Sequence, residues 1–440
     1  MEAVYKRYQE ILSANPSKYY EDYQKLYKKM EDSPAYYHGR VIPFLYQPLF
    51  FSNKELQIFK ELTSQLTDIL NKVVARYLSD SQFRSYFSFS KELEELILAD
   101  PGYKCPFPMA RFDIFYYGDR NFKFCELNTD GSSGSVKTNI LENFFISTEV
   151  IDELKKEYQI TYAELIDSWI DTLLENYREF NPNHGKPNIA IMDFEGYGMV
   201  KEFECFRDAI EERGYQVKII DPREVEYRDN RLYSGEFRVD LVYRRAVTLD
   251  LINHYDEIGD FLAAYLDGNV CLVGGIRSQI IHNKILFAIL QDCEKVDFLS
   301  REEQEFIQNH IPYTRIFNPS DDDLFSYVKE NKDSLVLKPM DLYGADGVAI
   351  GSDLSQSKWE ERLNKIDKET YLVQEFCLVP EKELTVFDQG ELSFESFKYT
   401  LGLFLYNQDF KGIYTRAGKE NVIASATGCV TLPNLIIESD

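Results

Sequence analysis

The chain is 440 residues long, 44% hydrophobic and 15% aromatic, enough to bury the cores of two or three domains and inconsistent with disorder. Its formal net charge of −25 argues against a nucleic-acid partner, because neutralising phosphate takes a basic surface. Residues 1–100 read as a mainly helical region. Within it, Ser52 and Glu55 have the spacing of a capping box before a helix with apolar positions Leu56, Phe59, Leu62, Leu66, Ile69 and Leu70.

Residues 101–180 open with two alternating runs, Arg111–Tyr117 and Phe122–Asn128, separated by Gly118-Asp119-Arg120-Asn121, which predicts a β-hairpin. Pairing Tyr117 with Phe122 sets Asp113 opposite Glu126 and Arg111 opposite Asn128, all four on one face. Two carboxylates about 4 Å apart repel by about 4 kcal/mol at an effective dielectric near 20. A hard divalent cation removes that repulsion, since Asp113, Glu126 and Asn128 offer the oxygen ligands that Mg²⁺ takes alongside phosphate. The alternative is a solvated hairpin face.

The hairpin runs into Thr129-Asp130-Gly131-Ser132-Ser133-Gly134-Ser135 and a predicted helix start. Backbone N–H groups in such a turn can face an anion, so Gly131, Ser132 and Ser133 are candidate anion-loop residues, the alternative being a small-residue connector. The loop is not a Walker A sequence, because Val136 precedes Lys137 where a glycine is required. A second helix is expected at about 161–180.

Residues 186–275 change rhythm. Strand Asn188–Phe194, a helix from about Met199 to Arg213 closed by Gly214, and strand Gln216–Ile220 make a βαβ unit with ligand-facing loops at the strand carboxyl ends. A strand at 240–245 and a helix at about 250–267 extend it. The glycine fingerprint of a dinucleotide site is missing after the first strand.

Residues 276–440 begin helically, around Lys284 and on to about Asn309, and then turn strand-rich. Lys338 ends an apolar strand just before a loop containing Gly344 and Gly347, where a lysine can reach a phosphate while the loop closes over it, the alternative being a lysine that snorkels to solvent at a strand end. A short helix near Trp359 and the strand Tyr371–Phe376 follow, with further strands to about 430.

Other chemistries lack their residues. Five histidines show no zinc spacing, and no G-x-S-x-G elbow occurs. Seven scattered cysteines without a C-x-x-C pair read as free thiols in a reducing compartment. No apolar run reaches membrane-spanning length and the first residues carry no apolar leader, so a cytoplasmic protein without a membrane partner is expected.

The strand–lysine–glycine loop–strand order of the last third is the pattern of ATP-grasp enzymes. Together, R-F-D…E-L-N at 111–128, L-V-L-K-P…Y-G-A-D-G at 335–347, Y-L-V-Q-E-F at 371–376 and G-I-Y-T-R at 412–416 resemble the circularly permuted ATP-grasp enzymes related to glutathionylspermidine synthase. The resemblance covers roughly residues 100 to 425, with the metal strands before the lysines instead of after them. It implies an α/β (α+β) ATP-grasp fold, circularly permuted, with a Rossmann-like pre-ATP-grasp subdomain and an N-terminal helical region. It implies ATP and two Mg²⁺ ions as cofactors, with Asp113, Glu126 and Asn128 as magnesium ligands. Arg111 and Arg416 match the arginines on the transferring phosphate, and Lys284 and Lys338 the nucleotide lysines. Gln374, Glu375 and Phe376 match the hinge beside adenine, and Glu383 a ribose contact.

The implied activity is a carboxylate–amine ligase. A small-molecule or short-peptide acid attacks the γ-phosphate, and an amine or amino acid displaces phosphate from the acyl phosphate. A phosphotransferase and a catalytically silent nucleotide-binding scaffold stay open as alternatives. The turn Asp130–Gly134 replaces the Thr/Pro-containing turn of glutathionylspermidine synthase, so substrate identity does not carry over. The accompanying amidase domain of some relatives is not seen, and the oligomeric state is left open.

Overall fold

The structure is a computed structural model that describes residues 1–37, 39–183, 185–340, 347–366, 370–424 and 427–438. Its N-terminal part is helical as expected. Ser52 Oγ accepts from the Glu55 N–H at 3.3 Å, and Glu55 Oε2 accepts from the Ser52 N–H at 2.8 Å, which closes the predicted capping box. The helix it starts, Asn53–Ser79, buries Phe59, Leu62, Leu66, Ile69 and Leu70, while Leu56 is half-buried. Phe59 packs edge-on against Tyr116, docking this helix on the central sheet.

That sheet is antiparallel, with strand order Val430–Leu432, Asp409–Gly418, Glu391–Tyr406, Met109–Gly118, Asn121–Asn128. Strand Glu381–Asp388 pairs with the first half of Glu391–Tyr406. The hairpin from the first third of the chain is therefore a structural neighbour of strands from its last tenth.

A second antiparallel sheet has the order Thr314–Phe317, Tyr371–Glu375, Leu335–Pro339, Ala349–Ile350. Alternation divides its residues between two faces. Leu335, Leu337, Ala349 and Val373 pack with Trp359 in a local core, whereas Val336, Lys338, Ile350 and Gln374 face a cavity.

The βαβ unit is a parallel sheet ordered Cys271–Val273, Leu241–Arg244, Asn188–Met192, Gln216–Ile220. Helix Val200–Glu212 makes the crossover, and Gly214 closes it at φ +77°. The carboxyl ends of these strands point Arg244 and Arg245 at the turn after the hairpin. The resulting architecture is mixed α/β.

Three helical expectations were too simple. The helix read at about 161–180 starts at Ile166, because Gln159–Thr161 is a strand paired with Asn434–Glu438. The helix read at about 250–267 divides into Thr248–Asn253, a 3₁₀ turn Tyr255–Glu257, and Gly259–Leu266. The stretch from 281 to 309 divides into Gln279–His282, Ile285–Leu290 and Arg301–His310, the last opened by its own Ser300–Glu303 capping box. A three-stranded meander, Glu226–Arg228, Arg231–Ser234 and Phe237–Val239, was not anticipated. Among the described residues, no helix is long and apolar enough to cross a membrane, and all seven cysteines are free thiols.

Candidate active site

The hairpin reaches its predicted end register by an unpredicted route. Tyr116, not Tyr117, pairs with Phe122, and Tyr117 is an extra residue on the first strand. Cys125 is an extra residue on the second strand, so the two bulges cancel. Asp113 faces Glu126 and Arg111 faces Asn128. The bulge also leaves the Cys125 carbonyl to accept from Lys338 Nζ at 3.2 Å, which joins the two sheets.

Cross-strand pairing extends that row. Tyr414 lies opposite Gly402, Gly402 opposite Asp113, and Asp113 opposite Glu126. A Cβ on Gly402 would stand 2.7 Å from Arg111 Cδ and 2.9 Å from Asp113 Oδ1. The missing side chain leaves the gap through which Arg111 reaches Asp113.

Arg111 grips Asp113 with two bonds, Nε to Oδ1 at 2.7 Å and Nη2 to Oδ2 at 3.0 Å. Arg416 Nη2 donates to the same Oδ2 at 2.6 Å. Asn128 Nδ2 bridges Asp113 and Glu126, 3.2 Å from each. Lys284 Nζ pairs with Glu126 Oε1 at 3.0 Å. The carboxylate repulsion expected of the bare hairpin is thus met by two arginines and a lysine.

These charges set the local acidities. Burial works to raise the Glu126 pKa, but Lys284 and then Lys338 and His282 outweigh it and hold the group well below the usual carboxylate range. Burial pulls the Lys338 ammonium down. Burial, with Asp113 beside it, pushes the Cys125 thiol up to about 12, so it stays protonated. Arg416 is held above its ordinary value, the burial penalty being overcome by Asp113.

The turn after the hairpin is anchored from the parallel sheet. Arg244 Nη1 meets Asp130 Oδ1 at 2.6 Å, and Asp130 Oδ2 accepts from the Thr248 N–H at 2.7 Å. Arg245 bridges Glu202 Oε1 at 2.7 Å and the Ser132 carbonyl at 2.6 Å. Arg111 Nη1 donates to the Ser133 carbonyl at 2.7 Å. Gly131, at φ +59°, would place a Cβ 2.7 Å from Val247 Cγ1, so the turn accepts no larger residue there.

The hairpin row and the turn border one cavity of about 380 Å³, with Arg244, Arg245 and Glu202 behind its wall. Arg111, Arg416, Asp113, Glu126, Asn128, Lys284 and Lys338 line it, as do Gly131, Ser132 and Ser133. Gln374, Glu375 and Phe376 line its other wall, with Gln374 held by a 2.8 Å bond from Nε2 to Thr314 Oγ1. Glu383 is not brought in: it is exposed on strand Glu381–Asp388, outside the lining. Gly347, at φ +72°, packs against Pro339, and its neighbour Val348 reaches the cavity. Gly344 lies outside the described residues.

Residues 97–374 match a family described as a circularly permuted ATP-grasp. The chain belongs to the circularly permuted ATP-grasp family. An uncharacterized protein of Mycobacterium leprae is 23% identical over 279 residues, 60% of this chain and 47% of that one, so the match spans about half the length of this curated relative. Among solved structures, a glutathione synthetase-like effector from Globodera pallida in its apo form superposes with a TM-score of 0.58 at 13% identity, covering 90% of each chain. That likeness shows a shared fold. D-alanyl-alanine synthetase A from Vibrio cholerae, with a TM-score of 0.30 and 10% identity, covers 57% of this chain and 88% of its own, and superposes too loosely to say more.

Within this ATP-grasp chain, sequence reading missed Tyr414, Lys137, Gly402 and the Glu202–Arg245 and Asp130–Arg244 pairs. Tyr414 stands inside the quoted G-I-Y-T-R run, and its ring lies near Arg111, Arg416 and Lys137. Lys137 was considered only as a failed Walker lysine. The remaining residues become neighbours through sheet register and long-range packing, which local spacing does not encode.

Proposed function

We propose that the protein is an ATP- and Mg²⁺-dependent carboxylate–amine ligase that forms an amide or peptide bond through an acyl phosphate, in the manner of glutathionylspermidine synthase. The observation that supports this reading is the meeting of Arg111 and Arg416 on Asp113, in one row with Glu126 and in the same cavity as Lys338. Two carboxylates and a carboxamide on adjacent sheet positions are an oxygen donor set that suits magnesium. Asp113, Glu126 and Asn128 would hold the ion, or two ions, and bound magnesium would neutralise phosphate charge.

The chain's own groups supply the rest. Lys284 and Lys338 give the nucleotide phosphates point charges, and the Gln374–Phe376 segment offers a wall for the base. Arg111 and Arg416 hold the substrate carboxylate and the phosphoryl group it attacks, stabilising charge that spreads over the transferring oxygens. The carboxylate oxygen bonds to the γ-phosphorus as ADP leaves. The amine nitrogen then bonds to the acyl carbon as phosphate leaves and the nitrogen loses its proton. No protein nucleophile is needed, so positioning and charge neutralisation carry the reaction. We further assign residues 1–100 to an N-terminal helical region and 101–180 to the hairpin and anion loop. Residues 186–275 would form the Rossmann-like substrate subdomain and 276–440 the nucleotide subdomains.

The test is phosphate release from Mg–ATP over a matrix of amino acids, short peptides and polyamines. A ligase releases phosphate only when both an acid and an amine are present. A stable phosphorylated product formed from one substrate would replace this reading with a phosphotransferase. Nucleotide binding without turnover across the matrix would leave a silent scaffold.

A further inference from the structure

The cavity holds one buried cation that none of these roles uses. Lys137 is 7% exposed, in the first turn of helix Ser135–Phe145, and it lines the cavity. Among the described residues, the ion pairs of this site run from Arg111 and Arg416 to Asp113 and from Lys284 to Glu126, and none reaches Lys137. Its ammonium has two aromatic rings instead, Tyr37 at 5.4 Å and Tyr414 at 4.9 Å from the ring centroids. Rings hold a cation in place, but they offset only part of the cost of taking an ammonium out of water.

Two further features point to an anion at the same place. The N-cap residue Gly134 has no side chain to cap the helix, and its N–H donates to Glu202 Oε2 at 3.4 Å, so the positive end of the helix dipole lies beside Lys137 with its first-turn N–H groups uncapped by a local side chain. Its N-cap, Gly134, sits at φ +107°, where a Cβ would be 3.0 Å from the Tyr414 ring, so the helix start is pressed against that ring. Three cations then surround one phenol ring, with Arg111 at 5.4 Å, Arg416 at 5.5 Å and Lys137 at 4.9 Å. Asp113 answers the two arginines, while Glu126 is held by Lys284 and Asp130 by Arg244. One carboxylate against two arginines, and Lys338 turned to a carbonyl, leave positive charge that the phosphates and the reacting group would take up; among the described residues, Lys137 is the lining cation to which none of those roles gives a counter-charge.

We propose that Lys137 and the uncapped first turn of its helix form a carboxylate subsite, distinct from the place where Arg111 and Arg416 hold the reacting group. Resting on the ligase reading, this makes the acid substrate an amino acid or short peptide with a second free carboxylate a short chain away. Tyr37 and Tyr414 wall the subsite and position the ammonium.

The test is calorimetric titration with a panel of acidic dipeptides, each carrying a side-chain and a terminal carboxylate, alongside both monoamides of each, in the presence of Mg–ADP. The wild-type protein should bind at least one dicarboxylate about 10- to 100-fold more tightly than either monoamide, as expected for one charge-assisted contact. Lys137→Met should bind that dicarboxylate no better than the monoamide, and Lys137→Arg should keep the preference. Lys137→Gln serves if the methionine variant does not fold, and affinity for Mg–ADP reports that the cavity is intact. The proposal falls if no dicarboxylate outbinds both of its monoamides, or if the neutral variant keeps the wild-type preference. Because binding is read without turnover, a panel that discriminates while phosphate release fails for every pair would overturn the ligase reading and leave the subsite standing. Turnover without discrimination would do the reverse.

Discussion

Arg416 Nη2 lies 2.6 Å from Asp113 Oδ2, a contact between residues 303 positions apart. Asp113 is 1% exposed and takes further bonds from Arg111 and Asn128. Repulsion from Glu126 alone would make Asp113→Asn more stable than the wild type. The geometry reverses that sign, because the variant leaves two guanidiniums without their counter-charge. Breaking a buried pair from one side costs about 3 kcal/mol. Urea unfolding of Asp113→Asn should show a loss of that order, and a gain in stability would contradict the arginine clamp.

Glu126→Gln tests the metal assignment more cleanly, since Glu126 is half-buried and carries one ion pair, to Lys284. Turnover by Asp113→Asn and Glu126→Gln should vanish at limiting magnesium. Excess magnesium should recover some activity in the glutamine variant, whose carboxamide is still an oxygen donor. Near-wild-type rates in both variants at limiting magnesium would remove these residues from the metal site.

Lys338→Ala should weaken ATP binding by about tenfold, the effect of removing one charged contact from a phosphate. The side chain is already turned to the Cys125 carbonyl across the two sheets, so its position does not depend on a flexible stem. Unchanged affinity by calorimetry would make Lys338 a sheet-joining residue only.

The hairpin was legible because its four polar residues lie within 18 positions and share one alternation. Even so, the predicted pairing of Tyr117 with Phe122 was wrong locally. Extra residues at Tyr117 and Cys125, one on each strand, restore the register before Asp113 is reached. Strand Leu335–Pro339 and strand Tyr371–Glu375 were legible for a similar reason, as short apolar runs ended by polar residues. Gly402 could not be read this way. In a run of leucine and phenylalanine it looks like a weak point of a strand, and its value appears only when Asp113 is found opposite it. Lys137 enters the sequence reading only as the lysine of a failed Walker A match, because its burial and its contact with Tyr414 come from long-range packing. The meander at 226–239 did leave a signal: Asp229 and Asn230 both adopt positive φ, at 52° and 56°, in a two-residue turn of the type Asp and Asn favour.

Glu142 gives a pH test of the helix that carries Lys137. It is buried, its Oε1 accepts from the N–H and Nδ2 of Asn434 at 2.9 and 2.8 Å, and burial drives its pKa well above the ordinary value despite those bonds. Between the unfolded pKa and this raised one, the folded protein holds a proton that the unfolded chain has released. Stability therefore falls as pH rises through that window. Glu142→Gln keeps the acceptor and removes the titration. Its melting temperature should exceed the wild type's by about 2 °C or more at pH 8 and by less at pH 5. A constant difference across that range would mean Glu142 is ionised in the folded state.

Arg416→Ala separates binding from chemistry. Arg416 lies on the strand Asp409–Gly418, two residues beyond Tyr414 and on the same face, and its guanidinium reaches Asp113 instead of the wall formed by Gln374–Phe376. On the proposed ligase reading, an arginine placed there would act on the group in transfer and leave the nucleotide base and most of its phosphate contacts untouched. Interactions made mainly in the transition state lower kcat when removed, while ground-state affinity is kept. The variant should lose about 10²- to 10³-fold in kcat, with ATP affinity within about threefold of wild type. Losing Asp113's partner also returns that carboxylate's charge to the site, so excess magnesium should not rescue the rate if the arginine itself stabilises the phosphoryl group. Loss of ATP binding with kcat preserved would make Arg416 a ground-state contact and assign the transferring phosphate to Arg111 alone.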